Sequence, residues 1–456
     1  MNKTDPRYGM YLAILREELL LAMGCTEPAA VAYAVAAARS VLPTGAALRG
    51  CELLVSGNII KNVKSVVVPN TGGARGLETA AAAGLAGGDE RAGLQVIARL
   101  DDAGRQRMHA LLQSCRFTVR PAAGDKVFYI EVRLDSDHGT ARAVIEDFHT
   151  NLTVLEQDGA PRPLPASAAP RPQAAAQTDR TAMTVEDILD FAAGADLDDV
   201  RDLLERQIEC NMAISDEGLR NPWGAQVGRT LLKSAPGDLY THAAAAAAAG
   251  SDARMSGCEL PVAIVSGSGN QGLTASVPVI VYAREKGLPH DALLRALLVS
   301  DLITIHQKTG IGRLSAFCGA TSAGVGAACG IAWLDGGDYE VIAHTIVNAL
   351  AILSGMVCDG AKASCAAKIA TAVNNGLLGY RLYQQGLQFY AGDGIVTKGV
   401  ESTIANVGRL AREGMRGTDC EILDIMVGRE AAPRPPQTAA GGFAGLSNIL
   451  DGELSW

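Results

Sequence analysis

The 456-residue sequence predicts an α+β protein: a mainly helical domain with a smaller α/β unit, built on a mostly antiparallel sheet, inserted near its start. Three observations carry this. From Thr184 onward, apolar residues recur at helical spacing almost without interruption. Between residues 45 and 158 the chain turns to short β-branched runs separated by turn signals. Gly159 to Thr178, with Pro161, Pro163, Pro165, Pro170 and Pro172, has no apolar periodicity and reads as a flexible linker.

The expected organisation is therefore residues 1–44 as the first helices of the helical domain, 45–158 as the inserted unit, 159–180 as linker, 181–430 as the rest of the helical domain, and 431–456 as a mobile Pro/Gly-rich tail. The hydrophobic fraction is 48% but aromatics are only 4%, while glycines number 51. Such an interior calls for closely approaching helices and backbone-lined sites. A net charge of −9 without a Lys/Arg-rich run speaks against a nucleic-acid partner. The first residues carry no apolar signal core, so a cytoplasmic chain with reduced thiols is expected. Leu260 to Ala283 and Val341 to Cys358 are uncharged and long enough to span a bilayer. The first contains Ser266–Gly272 and the second His344, Thr345 and Asn348, and neither has interfacial flanks, so both read as buried core helices.

Tyr8 to Met23 carries an amphipathic helical pattern that stops at Gly24. Cys25 then sits in a corner before an Ala-rich helix running from Pro28 to Ser40, with Thr26 as a possible cap. Leu48–Ser56 and Val63–Val68 read as strands joined by the polar turn Ser56–Asn62. Asn70-Thr71-Gly72-Gly73 opens a helix near Leu77; it is either an anion-binding turn or a plain loop. Helices at Leu77–Leu85 and Asp101–Gln113 precede strands at Phe117–Arg120, Val127–Leu134, Thr140–Ile145 and Thr150–Leu155. After the linker, Thr184 caps the first of a long series of helices ending near Glu413.

Among the ten cysteines, Cys25, Cys318 and Cys358 stand apart, because each lies beside glycine at a helix end. No C-x-x-C pair supports structural zinc, but separated thiolates can hold an iron–sulfur cluster. Cys365 is a fourth ligand or a core residue of the following helix; Cys258 is a weaker version of the same case. Cys51, Cys115, Cys210, Cys329 and Cys420 read as buried packing residues. Ser266–Gly272 places many polar groups inside an apolar stretch, which suits a carboxylate pocket or a tight loop. Ser251–Arg254 lies just upstream and offers it a charge partner. Arg313 suits bidentate carboxylate binding, and His306 or Lys308 could serve as a base.

These motifs, Gly24-Cys25-Thr26-Glu27-Pro28, Ser251–Met255, Ser266–Gly272, Arg313–Ala316 and Gly355-Met356-Val357-Cys358-Asp359-Gly360-Ala361, resemble in order the L-cysteine desulfidase family, related to the α-domain of iron–sulfur L-serine dehydratases. The resemblance implies an oxygen-sensitive [4Fe-4S] cluster on Cys25, Cys318 and Cys358, no pyridoxal phosphate, and β-elimination of L-cysteine to sulfide, ammonia and pyruvate. The substrate carboxylate needs a donor-rich cradle, for which Asn70, Thr71, Gly72, Ser266, Gly267, Ser268, Asn270 and Arg313 are the candidates; Asn58 lies in a loop that also resembles the family pattern, and Lys61, His306 and Lys308 are candidate bases. L-serine dehydration by the same chemistry, or a non-catalytic iron–sulfur or amino-acid sensor, are the alternatives. A homo-oligomer without membrane or nucleic-acid partners is expected.

Overall fold

The computed structural model describes residues 1–124, 126–165, 178–312 and 314–428. Most of the linker and the 431–456 tail lie outside them, as does Arg313. The fold is α+β, with a helical body and one six-stranded sheet.

Helix α1 (Tyr8–Glu18) seats Tyr8 and Tyr11 against Phe191 of α6 (Val185–Gly194), which fixes the start of the chain to the helical body. The expected helix to Met23 is cut short. Leu21–Met23 forms strand β1, paired antiparallel with β8 (Pro261–Ala263). The helical pattern ran through this point because a three-residue strand leaves no alternation long enough to detect.

The sheet contains β2 (Leu48–Val55), β3 (Arg116–Pro121), β4 (Tyr129–Ser136), β5 (Gly139–Glu146), β6 (Leu152–Gln157) and β7 (Ala160–Pro161), in the order β3-β2-β4-β5-β6-β7. Only β2 and β3 are parallel. That pair is joined through α3 (Gly57–Val63), α4 (Leu77–Gly87) and α5 (Asp102–Ser114), as a parallel crossover requires. Helix α2 (Thr26–Ser40) packs on α4 and on the inner face of this sheet. The first two helices thus divide: α1 docks on the helical body, whereas α2 serves the inserted unit. Glycine makes the α2–α4 approach possible, since a Cβ on Gly84 would lie 2.5 Å from the Ala32 carbonyl oxygen.

The predicted strand at Val63–Val68 does not form. Ile59 and Val63 point into the core one helical turn apart, so Gly57–Val63 is α3 rather than a polar turn. Val66 and Val68 are buried without strand partners, and Val67 makes one isolated bridge to Arg75. Burial, not pairing, explains that valine run.

The helical body continues with α7 (Arg201–Arg220), α8 (Val227–Ser234), α9 (Leu239–Met255), α10 (Gly269–Glu285), α11 (His290–Ile311), α12 (Ala320–Leu334), α13 (Tyr339–Ile352), α14 (Cys365–Gln384), α15 (Val400–Arg409) and α16 (Arg416–Val427). Helix α9 is buried from Ala243 to Met255 between α7, α10 and α14. Among the described residues no helix is long and apolar enough to cross a membrane.

One buried charge has a measurable consequence. Asp301 of α11 is fully buried; its Oδ1 accepts from Gln207 Nε2 at 3.0 Å, and Oδ2 has no partner among the described residues. Burial pushes its carboxyl up to about 7, against a partial lowering by Gln207. Unfolded aspartate titrates near 3.9. Between these values the folded chain holds a proton that the unfolded chain lacks, so stability falls as pH rises from about 4 to 7 and the penalty is complete above that. Asp301→Asn removes the penalty and is expected to stabilise the protein by roughly 2–4 kcal/mol at pH 8, and hardly at all at pH 4. Urea midpoints across this range measure it; parallel pH profiles for the two proteins would contradict it.

Candidate metal centre

The site is assembled from segments far apart in sequence. The β1–β8 pairing brings the start of the chain to the segment leading into α10, and Cys25 follows β1 directly. Gly24 turns the chain there with φ +61°, and a Cβ on it would lie 2.0 Å from Pro69 Cγ. Only glycine meets both demands. Cys25 is extended, immediately before α2, and 2% exposed.

Cys318 and Cys358 are joined by backbone. Phe317 and Val357 form a single antiparallel bridge, with Cys318 N–H donating to Met356 O at 2.7 Å and Cys358 N–H donating to Ala316 O at 2.6 Å. Gly355 lies under the Phe317 ring, where a Cβ would come within 2.9 Å. Gly360, at φ +96°, passes so close to α3 that a Cβ would lie 2.2 Å from Lys61 O. The glycines flanking these cysteines are therefore spacers that allow three chain segments to meet.

Cys25, Cys318, Cys358 and Cys365 line one cavity of about 100 Å³. Cys365 opens α14 and packs with Cys25, Val66 and Met255, so the residue left between ligand and core is half-buried and part of the cavity wall. Of the cysteines expected to be packing residues, Cys51, Cys115 and Cys329 are buried. Cys210 is only half-buried, and Cys420 is exposed on α16, contrary to expectation, because that helix packs few of its side chains.

Glu27 is the acidic member of the wall. Its Oε2 accepts from Cys25 Sγ and from Thr26 Oγ1, each at 3.0 Å, and Oε1 accepts from Asn62 Nδ2 at 3.2 Å. His149, from the β5–β6 turn of the inserted unit, places Nε2 3.9 Å from Oε1. Burial alone would raise the Glu27 carboxyl, but His149 and the Cys25 thiol outweigh it and hold it at about 2. Burial, reinforced by Glu27, pushes the Cys25 thiol well up, with Arg254 opposing. Cys318 and Cys358 shift each other in opposite senses: Cys318 is driven up by its neighbour thiol and by burial, while Cys358 is drawn down by Cys318 and by the Lys61 and Lys368 charges.

Among the described residues no three His, Cys, Asp or Glu side chains converge as a single metal ion requires. A cluster makes a different demand, because its thiolates attach to separate irons and need only surround a common space. Cys25, Cys318 and Cys358 do so, in a wall that also contains buried polar atoms without protein partners, Arg254 Nε and Gln271 Oε1. The donor set fits the cluster.

The remaining predicted residues divide. Gly267, Ser268 and Asn270 line the cavity, as does Lys308. Ser266, at φ +49°, instead faces a neighbouring cavity of about 180 Å³ that shares Lys308 with the first. Asn58 lies on α3 and Asn70–Gly72 in a turn, and none of them lines the cavity. Asn70 Nδ2 donates to Ile97 O and Thr71 Oγ1 to Val68 O, so both side chains hold the turn itself together. Lys61 is buried and paired with Asp419 of α16. His306 is paired with Glu401, which also accepts the Val185 N–H, tying α11, α15 and α6 together. Lys61 and His306 therefore stand outside the cavity lining. Sequence reasoning passed over Glu27 and His149. A lone carboxylate at the head of an Ala-rich helix was a usable signal for the first; nothing local marks the second.

The model of the serine dehydratase alpha chain matches residues 93–424. A UPF0597 protein of Desulfitobacterium hafniense is 51% identical, over 94% of this chain and 98% of its own. A UPF0597 protein of Treponema denticola is 44% identical, over 94% of this chain and 100% of its own. A third, from Finegoldia magna, is 44% identical over 91% of this chain and 99% of its own. With a family match across most of its length and a site built from that same region together with the first helices, the chain belongs to the serine dehydratase alpha chain family.

Proposed function

We propose that this protein is an iron–sulfur lyase that eliminates the β-substituent of L-cysteine, releasing sulfide, ammonia and pyruvate. The observation that carries the proposal is the convergence of Cys25, Cys318 and Cys358 on one cavity that also presents Arg254, Lys308 and Glu27. Three thiols would hold a [4Fe-4S] cluster with one iron open. When bound, the cluster supplies a thiophilic Lewis acid for the leaving sulfur.

The chain supplies the rest. Lys308 is the candidate base that lines the cavity, and we assign it the Cα proton. Gly267, Ser268 and Asn270 form the polar side on which the substrate is oriented. The burial of Cys25, Glu27, Arg254 and Lys308 keeps bulk water from that part of the wall and strengthens the charge interactions there. The aminoacrylate released then hydrolyses to pyruvate and ammonium without further help from the protein.

L-serine is the second reading, favoured by the description of the matching family. Incubating anaerobically reconstituted protein with each amino acid decides between them. Sulfide and pyruvate from cysteine are expected; pyruvate from serine with no sulfide from cysteine would transfer the assignment to serine. Lys308→Met is expected to lower turnover by about 10²–10⁴-fold, the usual contribution of a general base, while leaving cluster iron in place. Unchanged turnover in this variant would remove Lys308 from that role.

A further inference from the structure

Helix α3 of the inserted unit reaches all three segments that carry the site thiols. Asn62 Nδ2 donates to Glu27 Oε1 at 3.2 Å, and Glu27 Oε2 accepts from Cys25 Sγ at 3.0 Å. Lys61 Nζ donates to Ser315 O at 3.4 Å, in the loop that leads into Cys318. The Lys61 carbonyl lies against Gly360, just after Cys358, where a Cβ would come within 2.2 Å.

A helix this short does not hold such a position by itself. It spans seven residues, and Ser56 gives it no side-chain cap. Lys61 is 2% exposed, so its ammonium needs a partner inside the protein. Asp419 of α16 supplies it, with Oδ1 2.5 Å from Nζ. Two further contacts lay α16 along α3. Lys64 Nζ donates to Met426 O, and Leu423 fills the space beside Gly57, where a Cβ would lie 2.6 Å from Leu423 Cδ2. Among its described residues α16 fully buries no side chain, and it rests chiefly on α3. The Lys64 contact is exposed, so the Lys61–Asp419 pair is the polar contact that solvent screens least.

We propose that Lys61 is a positioning residue for the metal centre: held by Asp419 of α16, it fixes α3 against the segments bearing Cys318 and Cys358, so that the spacing of those thiols depends on the C-terminal helix. This rests on the lyase reading for the cluster, but not for the thiol spacing. Lys61 then acts through the backbone of Ser315 and Gly360 rather than on the substrate, which accounts for a buried lysine beside the site but outside its lining.

Two measurements separate positioning from general stability. The first times iron release from the anaerobically reconstituted protein to excess ferrozine. Lys61→Met and Asp419→Leu each strand the other charge, and each is expected to lower the urea midpoint and speed release at least about tenfold. The double variant Lys61→Met/Asp419→Leu removes both charges, and apolar replacement of a buried pair commonly preserves stability. Its urea midpoint is expected to recover while release stays fast, because the bond to Ser315 O is still missing. Release that recovers together with the midpoint, or release unchanged in Lys61→Met, would overturn the proposal.

The second measurement needs no iron. Phenylarsine oxide condenses with two neighbouring thiols of the apo protein, forming two As–S bonds and releasing water. The ethanedithiol concentration that strips half of the bound arsenical reports how well Cys318 and Cys358 are spaced, with Cys318→Ser as background. The double variant is expected to need several-fold less ethanedithiol than the unaltered protein; equal concentrations would overturn the proposal. If the unaltered protein takes up no iron, the lyase reading fails and the arsenical alone decides whether Lys61 sets the thiol spacing.

Discussion

Replacing Cys25, Cys318 or Cys358 singly by Ser is expected to leave the anaerobically reconstituted protein with most of its cluster iron lost and its turnover abolished. Each thiol comes from a different chain segment, and all three line one cavity. Cys51→Ser and Cys420→Ser are the matched controls. Cys51 lies in strand β2 within the sheet, and Cys420 is exposed on α16, so iron content should be unchanged in both. Cys365→Ser is expected to keep its iron, because three thiols suffice in this reading. Iron and acid-labile sulfide analysis of the six proteins gives the answer directly. Full iron in the Cys25 variant would detach the start of the chain from the site, whatever happened to the other two.

Much of this was legible in sequence because it depends on local chemistry. The β-branched runs of β4 and β5 have a clear period, and the Ala/Gly-rich helices of the body are marked by their caps and by apolar spacing. The three cysteines stood out through their glycines, and those glycines prove to be contact points: Gly24 on Pro69, Gly319 on Gln271, Gly360 on Lys61. What could not be read was pairing across long separations. The β1–β8 strand pair joins residues 21 and 263, and the Phe317–Val357 bridge joins two loops forty residues apart. Neither leaves a periodic trace in either partner. The same holds for the polar candidates. Asn70 and Lys61 have the right chemistry for a substrate, but one is spent on Ile97 O and the other on Asp419. Residue type and spacing cannot reveal that a side chain is already engaged. Arg254 and Gln271 show the opposite case, in which buried polar atoms are left open.

The small-residue interior yields the other large effect. Helices α12 and α14 cross at Gly324 and Gly376, where a Cβ on Gly324 would lie 2.3 Å from Ala372 O and a Cβ on Gly376 would lie 2.3 Å from Gly324 O. Neither contact can be relieved by rotating a side chain, because both obstacles are backbone. Gly324→Ala gains up to about 1 kcal/mol of helix propensity. Overpacking against a rigid neighbour costs roughly 1–3 kcal/mol or more, so the net effect is expected to be destabilising. Gly324→Val, with a larger and β-branched side chain, should be worse. Gly417→Ala is the informative contrast: it is also helical, its Cβ would meet nothing within 4 Å, and it should be neutral or stabilising. The crossing also bears on the site. Helix α12 begins two residues after Cys318, and α14 begins at Cys365, seven residues after Cys358. Forcing the two helices apart therefore moves the segments that hold both thiols. Cluster iron should fall along with the urea midpoint in Gly324→Ala and stay unchanged in Gly417→Ala. A Gly324→Ala protein as stable as Gly417→Ala would show that the helices can separate freely, and the close-packed scaffold proposed for the cysteines would have to be abandoned.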